Sequence, residues 1–288
     1  EKEGQTVATG VSAAAEKYFS CDNSKTYRLK YDSSESTLTM ISAAHSAHPI
    51  CGDVNCKEHA KLTDWQDVDD LSKIDKAGNY YLTKDVEITK TWQPKDGVVL
   101  CLNGYSITMN STGYAIWVNK DCTFTLCDCV GGGKITHTEG KTGSGVYVSA
   151  GSTFTMYGGS ITGNTVGTNS GGGVYVSAGT FNMYDGTISG NSGHNGGGVY
   201  LSYETKNGTT DKATFNMYGG TISGNSGDNG GGVYVYSNCT FTMTGSACIA
   251  NNKATGNSSK GSGVYVGTDA NFKMNGGTIS GNNSGGYG

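Results

Sequence analysis

Two short phrases alternate down this chain of 288 residues, and strict alternation of that kind marks a repeat architecture. The first is a glycine followed by Val-Tyr-Val or Val-Tyr-Leu, at 145–148, 173–176, 198–201, 232–235 and 263–266. Its starts lie 28, 25, 34 and 31 residues apart. The second runs close to Phe-x-Met-x-Gly-Gly-x-Ile-x-Gly-Asn, at 154–164, 181–191, 215–225, 241–251 and 272–282. Its fourth copy reads as degenerate, with Cys248 in the isoleucine slot and Ala250 in the glycine slot. Spacing inside a phrase holds while spacing between phrases drifts. Fixed strands joined by loops of unequal length behave this way, whereas a helical repeat does not.

Within each phrase the apolar residues alternate, as in Phe154 and Met156 or Val146 and Val148, which is the period of a strand. Phenylalanine, methionine, isoleucine and valine are expected to point inward, and threonine, serine and tyrosine outward. One such coil cannot bury its own apolar side, so coils must stack at about 4.8 Å and share one core. The corner asparagines Asn164, Asn191, Asn225, Asn251 and Asn282 are expected to hydrogen-bond from coil to coil. The 47 glycines occur with only two prolines and no period of three, which excludes collagen.

Upstream, Gly78-Asn-Tyr-Tyr-Leu-Thr-Lys-Asp-Val and Val99-Leu-Cys-Leu-Asn-Gly-Tyr-Ser-Ile resemble the opening coils of pectate-lyase-like β-helix proteins. Phe124-Thr-Leu-Cys-Asp-Cys and Gly133-Lys-Ile-Thr-His follow in the same style. The step from Leu102 to Ile107 equals that from Met156 to Ile161, which assigns Leu102 to the methionine slot. The wording of the repeats also resembles β-helical surface proteins of gut bacteria. That resemblance implies an all-β fold over 79–288, a single-stranded right-handed parallel β-helix of about seven coils.

Residues 1–78 do not repeat. Tyr27-Arg-Leu-Lys-Tyr-Asp and Thr37-Leu-Thr-Met read as a β-hairpin, and the region is expected to cap the exposed strand edge of the first coil. The glycine-rich end predicts a polypeptide that continues beyond Gly288. Inside the N-terminal region His48, Cys51, Cys56 and His59 have the residue types and close spacing of a structural zinc knuckle. A Cys51–Cys56 disulfide or free thiols would fit the same residues. Among the other cysteines, Cys122, Cys239 and Cys248 are expected inside, while Cys101, Cys127 and Cys129 fall on outward parity, where a cross-coil bridge could form.

Tyr147, Tyr175, Tyr200, Tyr234 and Tyr265 should form an aromatic ladder on one lateral face, with Tyr157, Tyr184 and Tyr218 starting a second. Such rows either bind sugar rings or a protein partner, or simply stack on one another. A net charge of −4 gives no electrostatic case for nucleic acid, and no apolar run is long enough to span a membrane. Arg28 is the only arginine, so the repeats lack the basic residue that a pectate-lyase-like mechanism implies. Asp185, Glu204, Asp211, Asp228 and Asp269 sit at unlike places, although His194 and Asp228 occupy matching loop positions. The expectation is a monomeric, non-catalytic, extracellular module, an adhesin or stalk that binds host glycan or a surface protein. The loops 165–170, 203–211 and 253–260 would set specificity. A polysaccharide-degrading lyase or hydrolase is the alternative.

Overall fold

A computed structural model describes residues 6–9, 27–32, 36–42, 48–50, 61–256 and 260–284. The chain divides into two compact units, Glu1–Ala47 and His48–Gly288. In the first, Tyr27–Asp32 and Thr6–Thr9 flank Thr37–Ser42 in an antiparallel sheet, so the expected hairpin is present.

The second unit is all-β, with parallel strands in stacked sheets compatible with a β-helix or solenoid. Among the described residues four parallel sheets run along it, of nine, eight, six and four strands. The nine-stranded sheet begins at Gln66–Val68 and Gly78–Leu82 and carries the Phe-x-Met strands Thr153–Met156, Thr180–Met183, Thr214–Met217, Thr240–Met243 and Asn271–Met274. The isoleucine strands make the eight-stranded sheet, and the Val-Tyr-Val strands the six-stranded one. The shortest sheet starts at Ser192–Asn195 and Ser226–Asn229.

Every slot pairs with its own kind. Phe154, Phe181, Phe215, Phe241 and Phe272 are register partners, as are the five tyrosines of the Val-Tyr-Val strands. The inward phenylalanines from Phe124 to Phe241 are fully buried, and each ring lies nearly parallel to the next at 4.7 to 5.6 Å.

Slot assignments in two phrases are corrected. Ile249, not Cys248, pairs with Ile222 and Ile279, and Cys248 stands half-exposed in the outward row of Thr221 and Thr278. The fourth copy carries one extra residue between Met243 and the isoleucine. A slip inside the strand would turn every side chain to the wrong face, so the turn absorbs the insertion. The same insertion puts Asn252, rather than Asn251, in the asparagine row, while Asn251 takes the left-handed corner (φ 56°) that glycine fills elsewhere. Upstream, Leu100 pairs with Leu126 and Leu126 with Met156, so Leu100 holds the methionine slot and Leu102 is a buried corner residue.

The asparagine row is the polar spine of the stack. Asn164, Asn191, Asn225, Asn252 and Asn282 bond in sequence, each backbone N–H and each Nδ2 donating to the Oδ1 of the next at 2.9 to 3.0 Å. The same Nδ2 atoms also donate to an isoleucine carbonyl of the preceding repeat, as from Asn191 to Ile161 at 2.9 Å. His137 tops the row, with Nδ1 2.7 Å from Asn164 Oδ1 and Nε2 2.8 Å from the Gly113 carbonyl.

Asn191→Ala strands the buried Asn164 N–H and Ile161 carbonyl. It is expected to lower unfolding free energy by about 3 kcal/mol. Denaturant unfolding checks this against Thr187→Ala on the outer face, which should shift stability by less than about 0.5 kcal/mol.

Candidate functional site

The tyrosine ladder lies where the sequence puts it, with the rings half-buried and the aliphatic residues flanking Tyr147, Tyr175, Tyr200 and Tyr234 wholly buried, while Val266 beside Tyr265 is exposed. It is self-packed. Tyr147, Tyr175 and Tyr200 meet edge to face at 5.1 Å, and Tyr234 stacks on Tyr265 at 4.5 Å. Burial among these rings pushes the Tyr200 phenol far above its ordinary range. Burial, then the neighbouring Tyr265, holds Tyr234 up at about 12. The second ladder is face to face, Tyr157–Tyr184 and Tyr184–Tyr218 each at 4.6 Å, and its last two rings are the more exposed.

The ladder also starts earlier than expected. Ile116–Val118 pairs in register with Val146–Val148, putting Trp117 beside Tyr147. Trp117 donates through Nε1 to Ser149 Oγ at 2.7 Å, and Tyr114 stacks on Tyr147 at 4.5 Å. Sequence reasoning passed over this rung. Its signal is Gly113-Tyr-Ala-Ile-Trp-Val, the first phrase with tryptophan in place of tyrosine.

At this end the ladder borders a groove of 440 Å³. Tyr114, Tyr175 and Tyr200 are its aromatic lining, and Thr168, Asn169 and Ser170 bring one of the expected specificity loops to it. Thr112, Thr142 and Ser144 add hydroxyls, and no charged side chain lines it. Ser144 is buried, and its Oγ is the one buried side-chain polar atom among the described residues without a hydrogen-bond partner. Tyr147, Tyr234 and Tyr265 belong to the ladder but not to the groove. Of the other loops, 203–211 forms an exposed antiparallel hairpin, Glu204–Lys206 against Thr209–Asp211.

The acidic residues are employed variously. Asp228 Oδ2 meets His194 Nδ1 at 2.8 Å across two half-exposed side chains, so the matching loop positions do come together. An exposed pair of that kind contributes little to stability. Asp128 and Asp185 border one hollow of 320 Å³ with Tyr157, but the Asp128 carboxylate accepts backbone N–H bonds from Gly104 and Gly133 at 2.7 and 2.8 Å.

Of the expected zinc ligands, Cys51, Cys56 and His59 lie outside the described residues. His48 is buried and is joined by two cysteines from elsewhere, Cys101 and Cys129. The ligand atoms of the three all lie within 4.8 Å of one another, a group that could hold a metal ion. Cys101 and Cys127 keep the outward parity, opposite to the inward pair Leu100 and Leu126, yet both are fully buried. Parity chooses the face of a sheet, and here that face is covered, with His48 against it. Burial pushes the Cys101 thiol well above its ordinary value, Cys127 adds to the rise, and the contact with Cys129 opposes it. Cys239 is buried as expected, whereas Cys122 is only partly so.

Comparison of the chain with protein-family models, with curated proteins and with solved structures finds no match. No helix among the described residues is long and apolar enough to cross a membrane.

Because the ladder phenols ionise late, the folded state is disfavoured where unfolded tyrosines ionise first. Stability should hold below the ordinary tyrosine value near pH 10 and fall as pH rises from there through about 12. Denaturant unfolding on either side of that window checks this, and Tyr234→Phe should make the fall shallower.

Proposed function

We propose that this chain is a non-catalytic, extracellular module of a bacterial surface protein, an adhesin or stalk that binds host glycan or surface protein through its lateral face. In this reading residues 79–288 are a right-handed, pectate-lyase-like parallel β-helix of about seven coils, and residues 1–78 cap it. It works as a monomer, secreted or displayed at the cell surface.

The observation that carries the reading is the neutral groove beside Tyr114, Tyr175 and Tyr200. Aromatic surface next to hydroxyl and amide groups suits an uncharged sugar, whose rings offer apolar C–H faces and whose hydroxyls need partners. The unsatisfied Ser144 hydroxyl gives the lining a further polar atom to satisfy. A rigid stack with a variable loop at its side is also how solenoids usually build binding surfaces. Several weak contacts along the face then add through multivalency. The alternative, a polysaccharide-degrading enzyme, draws its one support from Asp128 and Asp185 sharing a hollow. Asp128 is spent on holding two backbone amides, which weighs against it.

A glycan array with neutral and acidic oligosaccharides tests this. Binding to neutral glycans is expected, and Tyr175→Ala with Tyr200→Ala should weaken it about tenfold or more, near 1.4 kcal/mol. Tyr157→Ala, on the other ladder, should leave it unchanged. New reducing ends or unsaturated products from an incubated polysaccharide would overturn the non-catalytic reading.

A further inference from the structure

Cys101 and Cys129 lie some fifty residues or more beyond His48 in sequence, yet their sulfurs and its imidazole converge. The two sulfurs are 3.4 Å apart, far beyond the roughly 2.05 Å of a disulfide bond. Zinc–sulfur bonds of about 2.3 Å in a tetrahedron place two thiolates about 3.8 Å apart, close to what is found. Imidazole with two thiolates is a soft donor set that suits zinc and does not suit calcium or magnesium.

The surroundings are those of a supported site. The Cys129 backbone N–H donates to Cys101 Sγ at 3.4 Å, the kind of bond that steadies a thiolate. Cys129 Sγ also lies 3.8 Å from Asn103 Oδ1, and Asn103 is fixed by its own Nδ2 donating to the Leu82 carbonyl at 2.9 Å. The His48 ring packs against Trp65, with centroids 4.8 Å apart, and Trp65 Nε1 donates to the Leu62 carbonyl at 3.0 Å. His48 and Cys101 are both essentially closed to solvent.

We propose that His48, Cys101 and Cys129 bind one zinc-class ion, which ties the His48–Pro49 and Lys61–Leu62 strand pair to the opening strands of the nine-stranded sheet. Those two short strands pair His48 with Leu62 and Pro49 with Lys61. On binding, the Cys101 and Cys129 thiols release their protons and His48 ligates as neutral imidazole. Bound there, the ion acts as a structural clasp between the strand pair and the sheet. The clasp gives a segment of few residues a hold that a core of its own could not provide. This inference does not depend on what the lateral face binds.

Titration of the reduced, metal-free full chain with cobalt(II), followed by displacement with zinc, tests it. The expected result is one equivalent bound, tetrahedral d–d absorption and thiolate-to-cobalt charge transfer. Cys101→Ser and Cys129→Ser should each reduce the charge-transfer band and weaken binding by at least tenfold, while Cys239→Ser leaves both unchanged. Should Cys101→Ser fail to fold, His48→Gln serves instead, keeping the charge-transfer band but weakening binding. Zinc should raise the melting temperature of the wild type and not of the variants. Undiminished cobalt binding in Cys101→Ser/Cys129→Ser, or no binding by the wild type, overturns the site. Finding Cys101 and Cys129 joined as a disulfide in the protein as isolated also overturns it.

Discussion

Parallel strands hydrogen-bonded in register, repeat upon repeat, are the constraint from which everything else in the second unit follows. That spacing is fixed by the backbone at about 4.8 Å, and it forces each residue to meet the residue in the same slot of the next repeat. Phenylalanine therefore meets phenylalanine and asparagine meets asparagine. The choice of residue in a slot is made once and must then suit its own copy. A flat ring can stack on itself in the core. An amide can donate on one side and accept on the other, so it can sit at a buried corner, where most polar side chains would leave a group unpaired. The two rows do complementary work, the phenylalanines removing apolar area from water and the asparagines closing the backbone at the turn.

The same constraint confines variety to the turns. Strand residues cannot change length without reversing their faces, so the extra residue before Ile249 and the hairpin at 203–211 both lie between strands. A binding site on such a body has two ingredients, a repeated surface and one irregular edge. Here the repeated surface is the tyrosine ladder, and the irregular edge is the Thr168–Asn169–Ser170 loop, which meets it at Tyr175 and Tyr200. The ladder's mutual packing leaves its rings only half-exposed, so in the proposed reading the groove, rather than the row as a whole, is where a ligand gains enclosure.

How much of this was legible depends on whether the information was periodic. The strands, their parity and the tyrosine row came directly from the phrases, whereas similar loop positions alone did not favour the meeting of His194 with Asp228 that the structure shows. Errors arose where the period was broken. One inserted residue hid Ile249 and Asn252 behind Cys248 and Asn251, and an equal five-residue step drew Leu102 into a slot that Leu100 holds. Tyr114 and Trp117 were missed because an aromatic slot was read as a tyrosine slot. The group of His48, Cys101 and Cys129 could not be read at all. Its members are far apart in sequence, and local spacing pointed instead to the neighbours of His48.

The account stands most directly on the lateral groove, and ring resonances of the tyrosines, followed by NMR during titration with a neutral oligosaccharide, would test it. Saturable shifts centred on Tyr114, Tyr175 and Tyr200 are the predicted result. Shifts centred on Tyr157, Tyr184 and Tyr218, or none in either ladder at saturating sugar, would contradict it.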